Sequence, residues 1–78
     1  MNLQSALNEG REFLKNKNIK NSKLDSEILM SKIINKDRKF IILNNDYNLS
    51  YKSFVNFKEL VNQRSKGKPI AYLIGKKN

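Results

Sequence analysis

The sequence contains no cysteine and no histidine. Without cysteine there is no disulfide scaffold and no thiol chemistry. Without histidine the chain lacks the usual general base and the commonest metal ligand of proteins. Among its seven acidic residues, Asp25 and Glu27 are two apart on a helix and point in different directions, so caps and solvated charges explain them better than an acid/base pair. Its serines have no base to activate a hydroxyl. We therefore predict no catalytic, cofactor-binding or metal-binding residue in this chain.

Glycine and proline are also scarce, with three glycines and one proline, and neither occurs between positions 10 and 67. This pattern indicates no linker and no internal boundary, so we expect residues 1–78 to form a single domain. A chain of this size buries roughly 60% of its unfolded surface. That is sufficient for a small helical bundle, but not for an α/β fold with a cofactor site and a substrate site.

Long apolar runs are absent. No stretch approaches the ~18 residues that a membrane span requires. The N-terminal segment, MNLQSALNEGRE, becomes polar and acidic too early for a signal peptide. We expect a cytoplasmic protein with no membrane partner.

Positive charge, in contrast, is abundant, and the net charge is +9. Such a charge is compatible with nucleic-acid binding. However, thirteen of the sixteen cations are lysine, and the chain also has twelve asparagines and eight isoleucines. AT-rich codons favour these three residue types, whereas proteins that read bases and phosphates are usually richer in arginine. We favour codon drift or a solvating surface, and we keep a small basic nucleic-acid-binding bundle as the alternative.

Apolar residues recur at spacings of three and four along most of the chain, which predicts helices and not strands. The fold class is therefore all-α, a small bundle of four to five helices. The predicted segments are residues 3–17, a central helix from residue 22, a short helix over residues 38–43, and helices over 51–66 and 69–74. Gly10 lies on the apolar stripe of the first helix, which indicates a close helix crossing.

Several residues have the chemistry of helix ends. Ser22 and Asp25 resemble a capping box, and Asp37 and Ser50 are predicted N-caps. Gly67 is placed where a left-handed C-cap is expected. Pro69 suits a first helical position, and Gly75 suits a stop.

Three stretches together resemble one family. Residues 24–30, LDSEILM, are similar to a D-A-E-x-L-L signature, and residues 37–42, DRKFII, are similar to a G/D-R-x-x-L/I segment. Residues 64–75, RSKGKPIAYLIG, resemble R-R-x-x-G-x-P-I/L-A/Q-Y/H-L/I-x-G, which is the most specific of the three. Their order and spacing resemble the N-terminal domain of the HemK/PrmC family, the glutamine methyltransferases of class I peptide chain release factors.

The resemblance implies a helical domain that helps to recognise the release factor and carries no chemistry. In the family, a hairpin linker and a Rossmann-like domain follow, and that second domain binds S-adenosylmethionine and grips the glutamine of the Gly-Gly-Gln loop. Neither the linker nor that domain is expected within these residues, and none of the family's catalytic or cofactor residues can be assigned here. The implied partners are a class I release factor and the chain's own catalytic domain, with a monomeric state. A domain that only stabilises the catalytic domain is a further alternative.

The signature residues have open roles at this point. Asp25 and Glu27 are predicted to serve the first turns of the second helix, or to form ion pairs with Arg38 or Arg64. The two arginines are candidates for an internal salt bridge or a carbonyl cap, or for contact with the release factor. Tyr72 is predicted to be partly buried with its hydroxyl on a polar partner. Pro69 and Gly75 are expected to shape the backbone.

Overall fold

The computed structural model describes residues 1–75, which form five α-helices. The helices are α1 (Leu3–Asn16), α2 (Ser22–Ile34), α3 (Arg38–Leu43), α4 (Tyr51–Ser65) and α5 (Ile70–Leu73). Within these residues the only β-type pairing is an isolated bridge between Asn2 and Asn48. The prediction of a small all-α bundle is therefore confirmed. No helix in the described part of the chain combines the length and the apolar character that crossing a membrane requires.

Short polar side chains begin three of the helices. Asn2, Asp37 and Ser50 each accept a hydrogen bond from the backbone N–H three residues further on, at 2.8, 2.9 and 3.1 Å. The predicted caps at Asp37 and Ser50 are confirmed. The predicted capping box of Ser22 and Asp25 is wrong, because Asn21 is the N-cap of α2 and its side chain makes no capping hydrogen bond.

At the ends of α1 and α4, the residue after the C-cap adopts the left-handed conformation. Asn18 (φ 65°) and Gly67 (φ 98°) follow the C-caps of α1 and α4. After α4, Gly67 N–H donates to Arg64 O at 2.9 Å and Lys68 N–H to Gln63 O at 3.4 Å, which is a Schellman motif. The C-cap prediction for Gly67 is thus confirmed. Pro69 lies one position earlier than predicted, at the extended N-cap of α5 (ψ 144°).

Helix α2 is the central element, as its wide apolar face predicts, and it packs against all four other helices. Leu29 and Met30 are its fully buried apolar residues, whereas Leu24 is 37% exposed. The remaining core is contributed by the other helices and the loop before α4: Leu3, Ala6, Leu7, Leu14, Ile41, Leu49, Phe57, Val61 and Leu73.

Two contacts complete the bundle. Gly10 of α1 lies against Phe57 and Val61 of α4, so the close crossing predicted at this glycine is confirmed. Helix α5 packs against α2 and α4. The apolar run near the end of the sequence is therefore a short helix that closes the core through Leu73.

Candidate functional site

Arg64 connects three parts of the bundle. Its Nε donates to Asp25 Oδ2 at 3.0 Å, and its Nη1 donates to the carbonyl of Lys68 at 3.0 Å. The Asp25 side chain is only 7% exposed and that of Arg64 23%. The guanidinium thus joins α4 to the first turn of α2 and also holds the turn that leads into α5. The planar fork of arginine presents two donors in fixed directions, so one side chain makes both bonds.

Arg38 makes the corresponding contact between α3 and α2. Its Nη2 and Nε donate to Glu27 Oε1 at 3.0 and 3.3 Å. Glu27 is nearly buried at 8%, while the Arg38 side chain is 48% exposed. One edge of the Arg38 guanidinium, Nε and Nη2, therefore binds Glu27, while about half of the side chain is exposed to solvent.

The two carboxylates serve different neighbours because of helical geometry. Residues two apart on a helix point in different directions. Asp25 accordingly faces α4 and Glu27 faces α3. Both acids make the ion pairs that were one of their two predicted roles. Arg64 makes both the predicted internal salt bridge and the predicted hydrogen bond to a carbonyl. Asp25 lies at the same time in the first turn of α2.

Tyr72 lies outside the core, so the prediction that it is partly buried is wrong, and within residues 1–75 its hydroxyl makes no hydrogen bond. Its side chain is 68% exposed, whereas the adjacent Leu73 is 9% exposed. The reason is that α5 is one turn long and uses Ile70, Leu73 and Ile74 to contact the core. Lys68 Nζ lies 5.4 Å from the centroid of the Tyr72 ring. Gly75 (φ 71°) ends the segment, as its predicted role as a stop requires.

A shallow groove of about 270 Å³ runs between α1, α2 and α3. Its walls carry three cations, Arg11, Lys23 and Arg38, and its floor includes Leu7 and Ile41. A second groove, at the start of α2, shares Lys23, Glu27 and Arg38 with it and adds Lys20 and Leu24. Together these two grooves form one continuous basic surface, which we call the α1–α3 groove.

Sequence reasoning missed Arg11, Lys23 and Ile42, all of which line this groove. The one available signal was the apolar run of residues 40–43. A six-residue helix cannot turn four successive apolar side chains inward, and Ile42 is in fact 51% exposed. The cations carried no signal, because lysine and arginine are spread along the whole chain.

The charged side chains of this arrangement are largely cations and their partners. Glu27, which lines the groove, and Asp25 are both engaged by arginines. Among the residues that the structure describes, no three potential ligands cluster to hold a metal ion. Fixed guanidinium groups, together with lysines that have no ion-pair partner within residues 1–75, are suited to hold carboxylates or phosphates.

Comparison with known proteins gives a family match over most of the chain. The family model described as the PrmC N-terminal domain matches residues 5–75. The chain is also similar to a release factor glutamine methyltransferase of Clostridium botulinum, with 33% identity over 96% of this chain and 26% of the relative. The corresponding protein of Clostridium acetobutylicum is 34% identical over 97% of this chain and 27% of its own length.

A third relative has a longer chain. A protein named bifunctional methyltransferase from Rickettsia bellii is 33% identical over 96% of this chain and 14% of its own length. The chain thus spans about a quarter of the length of the first curated relatives that it matches. No solved structure matches it.

Proposed function

The chain belongs to the PrmC N-terminal domain family, and from this we propose that it is the substrate-recognition domain of a release factor glutamine methyltransferase. The proposed substrate is a class I peptide chain release factor, modified in the cytoplasm at the glutamine of its Gly-Gly-Gln loop. The observation that carries the proposal is the family match over residues 5–75. The names of the relatives, which are release factor glutamine methyltransferases, support it.

A recognition domain has a physical purpose in such a reaction. One glutamine in a mobile loop provides little to distinguish it from other exposed glutamines. A second contact on another part of the release factor raises the effective concentration of the loop at the catalytic centre. It also discriminates against proteins that carry the loop chemistry without the second surface.

We propose S-adenosylmethionine as the methyl donor of this reaction. S-adenosylmethionine would be bound by a catalytic domain outside these 78 residues. The sequence has no glycine-rich phosphate or nucleotide loop, and its grooves are shallow and lined largely by charged and amide side chains. The residues described here therefore do not fit that cofactor, and we assign this chain a binding role in the reaction.

The net charge of +9 suits an acidic partner. The family resemblance implies that release factors are acidic, so complementary charge would accelerate their encounter. Because such steering is screened by salt, we expect association to slow markedly between low and physiological ionic strength. An association rate that does not change with salt would contradict the steering component.

An amide NMR titration of this chain with its class I release factor tests the proposal. A short RNA of equal concentration serves as the control, and both titrations are run at two salt concentrations. We expect localised shifts with the release factor and none with the RNA. Salt-sensitive shifts with the RNA alone would favour the basic nucleic-acid-binding bundle. The absence of shift changes in both titrations would favour a domain that only stabilises its catalytic domain.

A further inference from the structure

The α1–α3 groove has an excess of positive charge over its own acids. Arg11, Lys20, Lys23 and Arg38 line it, and Glu27 is the acidic residue in its walls. Glu27 is nearly buried and already paired with Arg38. Within residues 1–75, neither Lys20 nor Lys23 has an ion-pair partner, and Arg11 donates only to Asn8 Oδ1 at 3.3 Å. The groove therefore offers cations that a ligand can engage.

Over residues 1–75, Arg38 is the one of these cations whose charged group is held in a fixed orientation by an ion pair. Glu27 holds its Nε and Nη2, and in the described part of the chain its Nη1 makes no hydrogen bond. A guanidinium that is already oriented loses less side-chain entropy when it binds a carboxylate than a free lysine does. The ion pair thus presents a fixed donor at the point where the two parts of the groove meet.

Aliphatic side chains accompany this charge. Ile42 of α3 is 51% exposed and Leu24 of α2 is 37% exposed, and both line the groove. Leu7 and Ile41 form an apolar floor beneath the polar walls. A convergence of exposed aliphatic groups and oriented donors is typical of sites that bind polypeptides.

We propose that the α1–α3 groove docks an acidic polypeptide segment, with a carboxylate on Arg38 and an aliphatic side chain against Ile42. The inference deepens the proposed function and rests on it, because the segment would belong to the release factor. It commits to the face of the bundle that meets the partner and to the chemistry of the partner's contact.

The lining favours a polypeptide over a nucleic acid. Single-stranded nucleic acids bind through bases stacked on aromatic rings, and the residues that line this groove include no aromatic side chain. The aromatic rings that lie near a lysine, those of Phe13, Phe40, Phe54 and Tyr72, are not among the lining residues. The groove thus supplies charge and aliphatic contact without a stacking surface.

Two matched pairs of variants test the proposal by titration calorimetry with the release factor. Lys23→Glu changes the groove, and Lys52→Glu makes the same charge reversal at the equivalent second position of α4. Ile42→Ser removes the exposed aliphatic group, and Val55→Ser does so on α4, where Val55 is 45% exposed. Arg38→Lys keeps the charge and removes the fork. Circular dichroism of each variant establishes that it is folded.

We expect Lys23→Glu and Ile42→Ser each to raise the dissociation constant about tenfold, and Arg38→Lys to weaken binding as well. The Lys52→Glu and Val55→Ser controls should stay within about threefold of the unmodified chain, since neither residue lines the groove. A long-range charge effect would weaken the binding of both lysine variants equally, and that result would contradict the groove as the docking site.

The remaining outcomes separate the two proposals. If the unmodified chain binds the release factor and the groove variants bind equally well, the groove is the wrong face and the proposed function stands. If the unmodified chain does not bind the release factor, both proposals fall. If the groove variants abolish binding of a short RNA instead, the site exists but the partner class proposed here is wrong.

Discussion

Gly10 of α1 lies so close to Phe57 of α4 that a methyl group on the glycine would overlap the ring. A Cβ built at position 10 would lie 2.6 Å from Phe57 Cζ and 2.8 Å from its Cε2, with Val61 Cγ2 at 3.3 Å. Phe57 is fully buried. The absence of a side chain at Gly10 therefore sets the separation of these two helices.

We expect Gly10→Ala to lower the free energy of unfolding by up to about 2 kcal/mol. Alanine is favoured over glycine in a helix by about 1 kcal/mol, but overpacking of a filled core costs about 1–3 kcal/mol. The ring is fully buried, so it must shift against its core neighbours to admit the methyl group. Urea unfolding followed by circular dichroism measures the change.

Ser5→Ala is the matched control, since Ser5 is exposed on the same helix, and it should leave stability nearly unchanged. Combining Gly10→Ala with Phe57→Leu should recover part of the loss attributable to the clash. A more stable Gly10→Ala protein would show that the crossing tolerates a wider separation.

The ion pairs should differ in energy according to their burial. Arg64→Ala leaves the Asp25 carboxylate, 7% exposed, without its partner, so we expect a loss of about 3 kcal/mol. Arg38→Ala leaves Glu27 unpaired at a similar 8% exposure, but Arg38 itself is 48% exposed and solvent screens the pair, so we expect a smaller loss of about 1–2 kcal/mol. Lys58→Ala, which removes an ion pair exposed at both partners, should cost less than about 1 kcal/mol.

Double-mutant cycles with Asp25→Ala, Glu27→Ala and Glu9→Ala measure the three coupling energies. If a variant is unfolded in buffer, the comparison is made in a stabilising osmolyte. Three equal coupling energies would contradict the dependence on burial. Arg64→Lys should recover only part of the stability, because one ammonium group cannot reach both Asp25 and the Lys68 carbonyl with the arginine geometry.

Leu73 and its neighbour provide a direct test of how α5 contributes. Leu73→Ala removes a side chain that is 9% exposed in the core, and we expect it to lower the free energy of unfolding by about 2–5 kcal/mol. Tyr72→Ala changes the adjacent residue, which is 68% exposed, and should have an effect below about 0.5 kcal/mol. A loss below 1 kcal/mol for Leu73→Ala would mean that α5 adds little to the isolated bundle.

Gly67 is required for its backbone conformation and not for space. Its φ is +98°, and a Cβ at this position would have no atom within 4 Å. Gly67→Ala should therefore cost about 1–2 kcal/mol from backbone strain alone. The chain is short enough for chemical synthesis, so D-alanine can be placed at the same position.

The D-residue should be neutral or stabilise the protein by about 0.4–1 kcal/mol, because it favours positive φ and restricts the unfolded chain. Thermal unfolding of the two synthetic variants gives the comparison. Equal destabilisation by both enantiomers would point to an unseen steric conflict and would exclude the backbone explanation.

The helices were predictable because their signals are local. The caps at Asp37 and Ser50 depend on a backbone N–H three residues away, and the turn at Gly67 depends on carbonyls three and four residues before it. Helical spacing of apolar residues requires no knowledge of the rest of the chain. The all-α class, the close crossing at Gly10 and the family itself could therefore be read from the sequence.

The pairing of charges required the tertiary structure. Asp25 pairs with Arg64, 39 positions away, and Glu27 with Arg38, 11 positions away. From the sequence, both acids were equally suited to the first turns of α2. The exposure of Tyr72 was also undetermined, because a helix of one turn has too few residues to define a face. Lys23 and Ile42 become one surface only when three helices meet, since the identity of a surface residue does not specify its neighbours.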